Sequence, residues 1–338
     1  MKVRVPDYFD AFSCLAGACP HSCCEKWEVV IDEDHARCYA ALSGPLGDRL
    51  RDALTEDEDG DTCFRLNGGR CPLLNEENLC DIHCQLGAEA TSVTCQEHPR
   101  FTEDYGPFRE ITLSASCPAA NALLLGSTAP LTFLEREDDL PGEPGDAWLD
   151  WLVPLRERML ALLAERTLPL RQRLRHVLTL AWDVQDGLEA EEDLTALTEQ
   201  WQFHEICPEA GEPLFPAALR VLAELEPLEE DWPVLLAQAE TAPAVPVPEE
   251  LLERIAVYFA FRYLLKAVND GDLLGRAQLT VMAVLTVERL AAVCGLSEAL
   301  RRFSCEIEHN DAHLDALLAA FPWEEALSPE GMLRELEC

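Results

Sequence analysis

Cys14-Leu-Ala-Gly-Ala-Cys19-Pro-His-Ser-Cys23-Cys24 places four thiols within eleven residues and ends on a vicinal pair. Cys38, Cys63, Cys71, Cys80, Cys84, Cys95 and Cys117 follow before residue 120, and the remaining 218 residues hold only Cys207, Cys294, Cys305 and Cys338. A segment so rich in thiols and so short in its elements is held by metal ions or disulfides as well as by an apolar core. The opening Met-Lys-Val-Arg-Val-Pro-Asp-Tyr-Phe-Asp lacks the apolar core of a secretory signal, and no apolar run reaches the length of a membrane span. A cytoplasmic location is therefore expected, where thiols stay reduced. The odd total of fifteen cysteines also suits metal ligation better than a disulfide framework.

Working outward, Trp27 to Ile31 reads as a short strand. Asp32 reads as the N-cap of a helix with an acidic first turn, running through Cys38 and Tyr39 to Ser43-Gly44. Residues 55–61 read as a solvated acidic loop without the ligand spacing of an EF-hand. Thr62 to Leu66, the turn Asn67-Gly68-Gly69 and Cys71-Pro-Leu-Leu74 predict one hairpin. Phe101 and Phe108 to Leu113, around Glu103-Asp-Tyr-Gly106, predict another. Cys117-Pro118 opens a helix to Leu125.

Beyond residue 126 the composition changes. Polar and Pro/Gly-rich breaks over 127–146 read as a linker. Apolar residues then recur at spacings of three and four, predicting helices near 148–163, 170–186, 192–206, 216–240, 249–269, 277–294 and 297–320. The expected fold is mainly α. A small α+β cysteine-rich module (1–126) precedes a linker (127–146) and an all-α domain (147–338).

The formal charge of -37 disfavours binding to phosphate backbones through a broad basic face. It suits solubility, or a partner with a basic or lysine-bearing surface. Lysine occurs only at Lys2, Lys26 and Lys266, and arginine carries the rest of the positive charge.

Zinc and iron–sulfur clusters both take thiolates, and loops can aim several sulfurs at one centre. The leading ligand candidates are Cys14, Cys19, Cys23, Cys24, Cys71, Cys80, Cys95 and Cys117. They suffice for one four-iron cluster with spares or for two four-thiolate sites. Neighbouring side chains diverge, so either one of Cys23 and Cys24 ligates while the other packs, or the two serve adjacent centres. His21, His83 and His98 are possible substitutes, although each is an ordinary hydrogen-bonding residue otherwise. Cys38, Cys63 and Cys84 rank second, and Cys38 reads as a small buried apolar residue in a helix. The three-cysteine spacing of radical S-adenosylmethionine enzymes is absent, with Lys26 and Gly87 at the required positions. No Rossmann fingerprint, phosphate-binding loop or nucleophile elbow is visible.

Phe12-Ser-Cys14 through Cys23-Cys24-Glu-Lys-Trp27-Glu-Val-Val-Ile-Asp32 resembles the opening of the flagellin lysine-N-methylase family and of related zinc- or iron-chelating cysteine-cluster proteins. The resemblance continues through Cys71-Pro-Leu-Leu and Leu79-Cys80-Asp-Ile, Leu86-Gly87, Cys95-Gln-Glu-His-Pro99-Arg100 and Leu113-Ser-Ala-Ser-Cys117-Pro118. It is looser over Tyr258 to Leu265 and Cys305-Glu306-Ile-Glu308-His309-Asn310. It implies methyl transfer from S-adenosylmethionine to flagellin lysines, with a four-iron cluster, and the eight leading cysteines as the metal set. His98 departs from the family, which usually has Tyr before Pro-Arg. A bidentate contact from Arg100 would suit the cofactor carboxylate, and Glu306, Glu308 or His309 would face the same cleft and orient the amine. A structural ion pair or helix cap is the plainer reading of each. The competing expectation for the whole chain is a non-enzymatic protein that carries zinc or iron.

Overall fold

The computed structural model describes residues 1–25, 29–57 and 60–336. Along the chain, β1 (Lys2–Pro6) leads to α1 (Glu33–Ala41), α2 (Pro45–Ala53), β2 (Leu54–Glu56) and β3 (Thr62–Phe64). The short helices α3 (Asp81–Leu86) and α4 (Val93–Glu97) come next, then β4 (Arg100–Asp104), β5 (Phe108–Leu113), α5 (Pro118–Leu125) and β6 (Phe133–Glu137). The rest is helical: α6 (Leu149–Leu163), α7 (Leu170–Glu189), α8 (Leu194–Gln200), α9 (Leu214–Glu224) and α10 (Trp232–Thr241). After these run α11 (Glu249–Tyr263), α12 (Ala267–Asp270), α13 (Leu273–Cys294), α14 (Leu296–Glu308), α15 (Asp311–Ala320) and α16 (Pro329–Glu335). The chain is mainly helical with a small sheet region, as the periodicity predicts.

Two compact units result, one formed by Ala11–Phe101 with Leu113–Asn121, the other by Met1–Asp10, Thr102–Thr112 and Ala122–Cys338. This division differs from the expected breaks at 126 and 146. The stretch read as linker contains β6, which pairs antiparallel with β1, Lys2 opposite Glu137 and Pro6 opposite Phe133. β1 also pairs parallel with β5, completing the sheet order β4-β5-β1-β6. A polar, proline-rich composition hides an edge strand because only one of its sides must bond.

In the larger unit α13 is largely apolar, has no exposed residue and lies among α7, α10, α11 and α14. It is long and apolar enough to cross a membrane, but its burial reads it as the core helix of this unit. The helices expected over 216–240 and 297–320 are each two. Pro227 falls in the break of the first, where Pro233 stands in the opening turn of α10, and Asn310 caps α15 in the second by accepting from the Ala312 amide. Arginine forks replace lysine inside this unit: Arg173 on α7 reaches Glu253 on α11 at 2.6 Å, and both are buried.

The cysteine-bearing unit has a small core of Val29, Ile31, Tyr39, Leu46, Leu50, Ala53, Phe64, Leu73 and Ile82, with Cys71 and Cys80 packed against it. Asp32 caps α1 as predicted. Part of the strand expected over 27–31 lies outside the described residues. Of the remainder, Val30 bridges Cys63, and the Ile31 amide donates to Thr62. The expected partner of β3 is corrected: β3 pairs with β2, through the segment read as an acidic loop. The Asn67–Arg70 turn closes on itself by reciprocal backbone bonds instead. The second hairpin, β4–β5, forms as expected.

Candidate functional site

All eight leading cysteines fall in the smaller unit. Cys14 and Cys19 flank a tight turn, in which the Ala16 amide donates to Cys14 Sγ at 3.3 Å and the Cys19 amide to the Ala16 carbonyl. Gly17 is required there, because a Cβ would meet the Glu77 carbonyl oxygen at 2.5 Å. That carbonyl belongs to a loop shaped by Asn75, whose side chain accepts from the amides of Glu77 and Leu79. Leu79 leads to Cys80, the N-cap of α3. The Cys71 amide donates to the Cys24 carbonyl at 2.8 Å, and Leu74, which donates to Cys71, bridges Cys80. Local contacts thus bring together ligand candidates from two separate stretches, Cys14–Cys24 and Cys71–Cys80.

The thiols that feel one another's charge fall into two neighbourhoods. Cys71 responds to Cys24, Cys80 and Cys95, and Cys95 to Cys24 and Cys80. Cys117 responds to Cys19 and Cys14. Cys23 joins them, hydrogen-bonded to Cys24 and within reach of Cys14 and Cys95. Burial pushes the Cys71 thiol up to about 12 and Cys95 to about 11, and raises Cys80 and Cys117 as well. The exception is Cys24. Its bond with Cys23, helped by Ser22 and Arg70, outweighs burial and lowers it to about 7, while the same bond and burial push Cys23 up.

Among the described residues, no three His, Cys, Asp or Glu side chains are close enough together to hold one ion as placed. The donor set fits zinc or an iron–sulfur cluster in kind, since it consists of neighbouring thiols, and the sulfurs would have to turn inward to ligate. The second-ranked cysteines separate further. Cys63 is fully buried in β3 and Cys84 is exposed. Cys38 corrects its expected burial: it lies on the exposed face of α1. His98 is held down to about 4 by burial and stays neutral at ordinary pH.

The residues proposed from sequence as reactive are divided between the units. Arg100 lies in the cysteine-bearing unit, its guanidinium 5.4 Å from the centre of the Phe12 ring. Glu308 lies in the larger unit with its side chain wholly buried. It accepts from the hydroxyls of Tyr258 and Tyr263 at 3.1 Å and from Ser304, and pairs with Arg262 at 3.0 Å. Glu306 accepts from the amides of Leu228 and Glu229, both at 2.8 Å. Residues two apart on a helix point about 200° apart, and Glu306 and Glu308 accordingly serve different partners. His309 ends α14. The hydroxyls around Glu308 were not singled out in sequence. The available signal was Ser304 one helical turn before Glu308.

Fold and site define a chain of two units, one thiol-rich and the other mainly helical. No family model and no solved structure matches the chain. Curated proteins do. The chain is 28% identical over 143 residues to the flagellar biosynthetic protein FliU of Salmonella muenchen, covering 40% of this chain and 85% of FliU. It is 27% identical over 146 residues to the lysine-N-methylases of Salmonella typhimurium and Salmonella choleraesuis, again over 40% of this chain. The matched stretch spans only 35% of those two methylases. The resemblance to flagellin lysine-N-methylases read from the cysteine motifs is borne out by these relatives.

Proposed function

We propose that this protein is an S-adenosylmethionine-dependent protein-lysine N-methyltransferase acting on flagellin in the cytoplasm, with a cysteine-held iron–sulfur or zinc centre. The observation that carries this reading is the sequence relationship to two proteins named lysine-N-methylase. The flagellar name of the third relative supports flagellin as the substrate. S-adenosylmethionine would supply an electrophilic methyl group. The protein's part is to bring a neutral lysine amine in line with it, and a dry pocket lowers the lysine pKa to that end. Arg100 is proposed to hold the cofactor carboxylate through its guanidinium fork. Glu308 and His309 are proposed to orient the amine, although every contact made by Glu308 suits a structural carboxylate equally well. The excess of acidic side chains favours a lysine-bearing partner. Cys14, Cys19, Cys23, Cys24, Cys71, Cys80, Cys95 and Cys117 are proposed to hold the metal. Amine methylation needs no electron transfer, so the centre is assigned a structural part.

One fact favours a second reading, a non-enzymatic zinc- or iron-chelating protein. The match covers 85% of FliU but 35% of either methylase, so most of each methylase lies outside it. Protein purified without oxygen, given labelled S-adenosylmethionine and flagellin, separates the two readings. Label on flagellin lysines is expected, lost in Arg100→Ala with folding intact. A metal-loaded protein that transfers no label would establish the second reading.

A further inference from the structure

Asp32 follows the opening cysteine motif, carries no thiol and caps α1. It lies on α1 with His35 and Tyr39, at spacings of three and four that place all three on one helical face. Each reaches across to the segment that precedes Cys95. Asp32 Oδ2 accepts from the Val93 amide at 2.9 Å, across 61 positions of sequence. His35 Nε2 meets the Glu89 carbonyl at 3.3 Å, and the Tyr39 hydroxyl donates to the Ala90 carbonyl at 2.7 Å. Within the helix, Asp32 accepts from the His35 amide at 3.1 Å and faces His35 Nδ1 at 2.8 Å. The clasped segment also carries local bonds of its own. Ser92, 1% exposed, caps α4 by accepting from the Cys95 amide, and Gln96 donates to the Thr91 carbonyl at 2.6 Å.

We propose that Asp32, His35 and Tyr39 form a clasp that sets the position of the Cys95 thiol beside Cys24 and Cys80. The clasp rests on the reading of Cys95 as a metal ligand and deepens it, with Asp32 as the principal positioning residue. A thiol on a helix of five residues cannot be held by that helix alone, because so short a helix has almost no intrinsic stability. Three contacts from a longer helix supply the missing constraint. Their geometry explains why an aspartate stands here, since a carboxylate can accept from a backbone amide and a histidine ring together. Tyr39 adds rigidity through its packing on Phe64, with ring centres 5.9 Å apart.

The test uses full-length protein prepared without oxygen and titrated with zinc, then with cobalt, whose thiolate absorption reports the sulfur ligands. Partners that orient ligands typically change metal affinity about 10–100-fold. Asp32→Ala is expected to weaken zinc binding by about that factor, Tyr39→Phe by less, and Asp32→Asn to retain part of the wild-type affinity. In a Cys95→Ser background the Asp32→Ala effect should vanish, which general destabilisation would not produce. The second readout needs no metal: Cys95 and Cys84 are both exposed, and Asp32→Ala, by freeing the Cys95 thiol from its set position among its neighbours, should raise its alkylation rate several-fold relative to Cys84. Unchanged zinc affinity with unchanged Cys95 alkylation would overturn the clasp, as would an equal loss with and without Cys95. If the wild-type protein takes up no metal, the metal reading fails, and the alkylation rates alone decide the clasp.

Discussion

At the scale of single residues, the Asp32–His35 pair shows how charge is used in the smaller unit. A neutral imidazole carries one ring proton, yet both His35 nitrogens face oxygens, so the imidazolium satisfies both contacts. The histidine is accordingly raised, chiefly by its bond to Asp32. Burial works to raise Asp32, but the Val93 amide and His35 outweigh it and hold the carboxyl at about 2. A raised histidine contributes stability that is present below its unfolded value and lost as pH rises through its folded value. A depressed carboxylate contributes stability that is present above its unfolded value and lost as pH falls through about 2. Wild type is therefore expected to exceed His35→Gln in denaturant resistance at mildly acidic pH, with the gap closing as the medium turns alkaline. Hydrogen exchange over residues 89–93 reads it directly, and a gap that widens with pH would reject the assignment.

At the scale of elements, α7 and α11 are joined by a buried carboxylate with two cations. Glu253 accepts from Arg173 at 2.6 Å and from Arg166 at 2.8 Å. Glu253→Ala leaves a guanidinium that is 2% exposed with the Leu163 carbonyl and, at 3.6 Å, Glu249 in place of its buried carboxylate partner. A loss of about 3–5 kcal/mol in unfolding free energy is expected, measured by urea titration. Replacing Glu253 and Arg173 together by Met should recover most of it, because the desolvation cost leaves with the pair. Element types were legible where periodicity is strong: α6, α7, α11 and α13 fall close to the expected spans. Ends and pairings were less legible. β2 hid in an acidic run, and β6 hid in a proline-rich one, because a strand is defined by a partner elsewhere in the chain.

At the scale of the whole molecule, the two units differ in how each is held. The larger has an extensive apolar core around α13, whereas the smaller relies on few buried side chains and many loops. Metal bound by its thiols would add folding free energy there. Chelation of metal-loaded protein is expected to speed hydrogen exchange across Ala11–Phe101 while leaving α11 and α13 slow. Uniform exchange before and after chelation would count against a structural metal.

Composition and spacing by themselves determined a thiol-rich module and a mainly helical remainder, and the motif residues carried a resemblance that the curated relatives bear out. Those follow from local patterns: cysteines in loops, apolar residues at helical intervals, a cap residue before an acidic turn. Only the tertiary structure decided that the first strand and the presumed linker share a sheet, and that Glu306 and Glu308 serve different partners. It alone showed that Asp32 reaches Val93. Each of these depends on residues brought together from far apart in the chain, and such contacts leave no periodic mark in the sequence. The vicinal Cys23–Cys24 pair spans both kinds of information. Its density marks it in sequence, and its hydrogen bond splits the two thiols into one raised and one lowered group only in the folded unit.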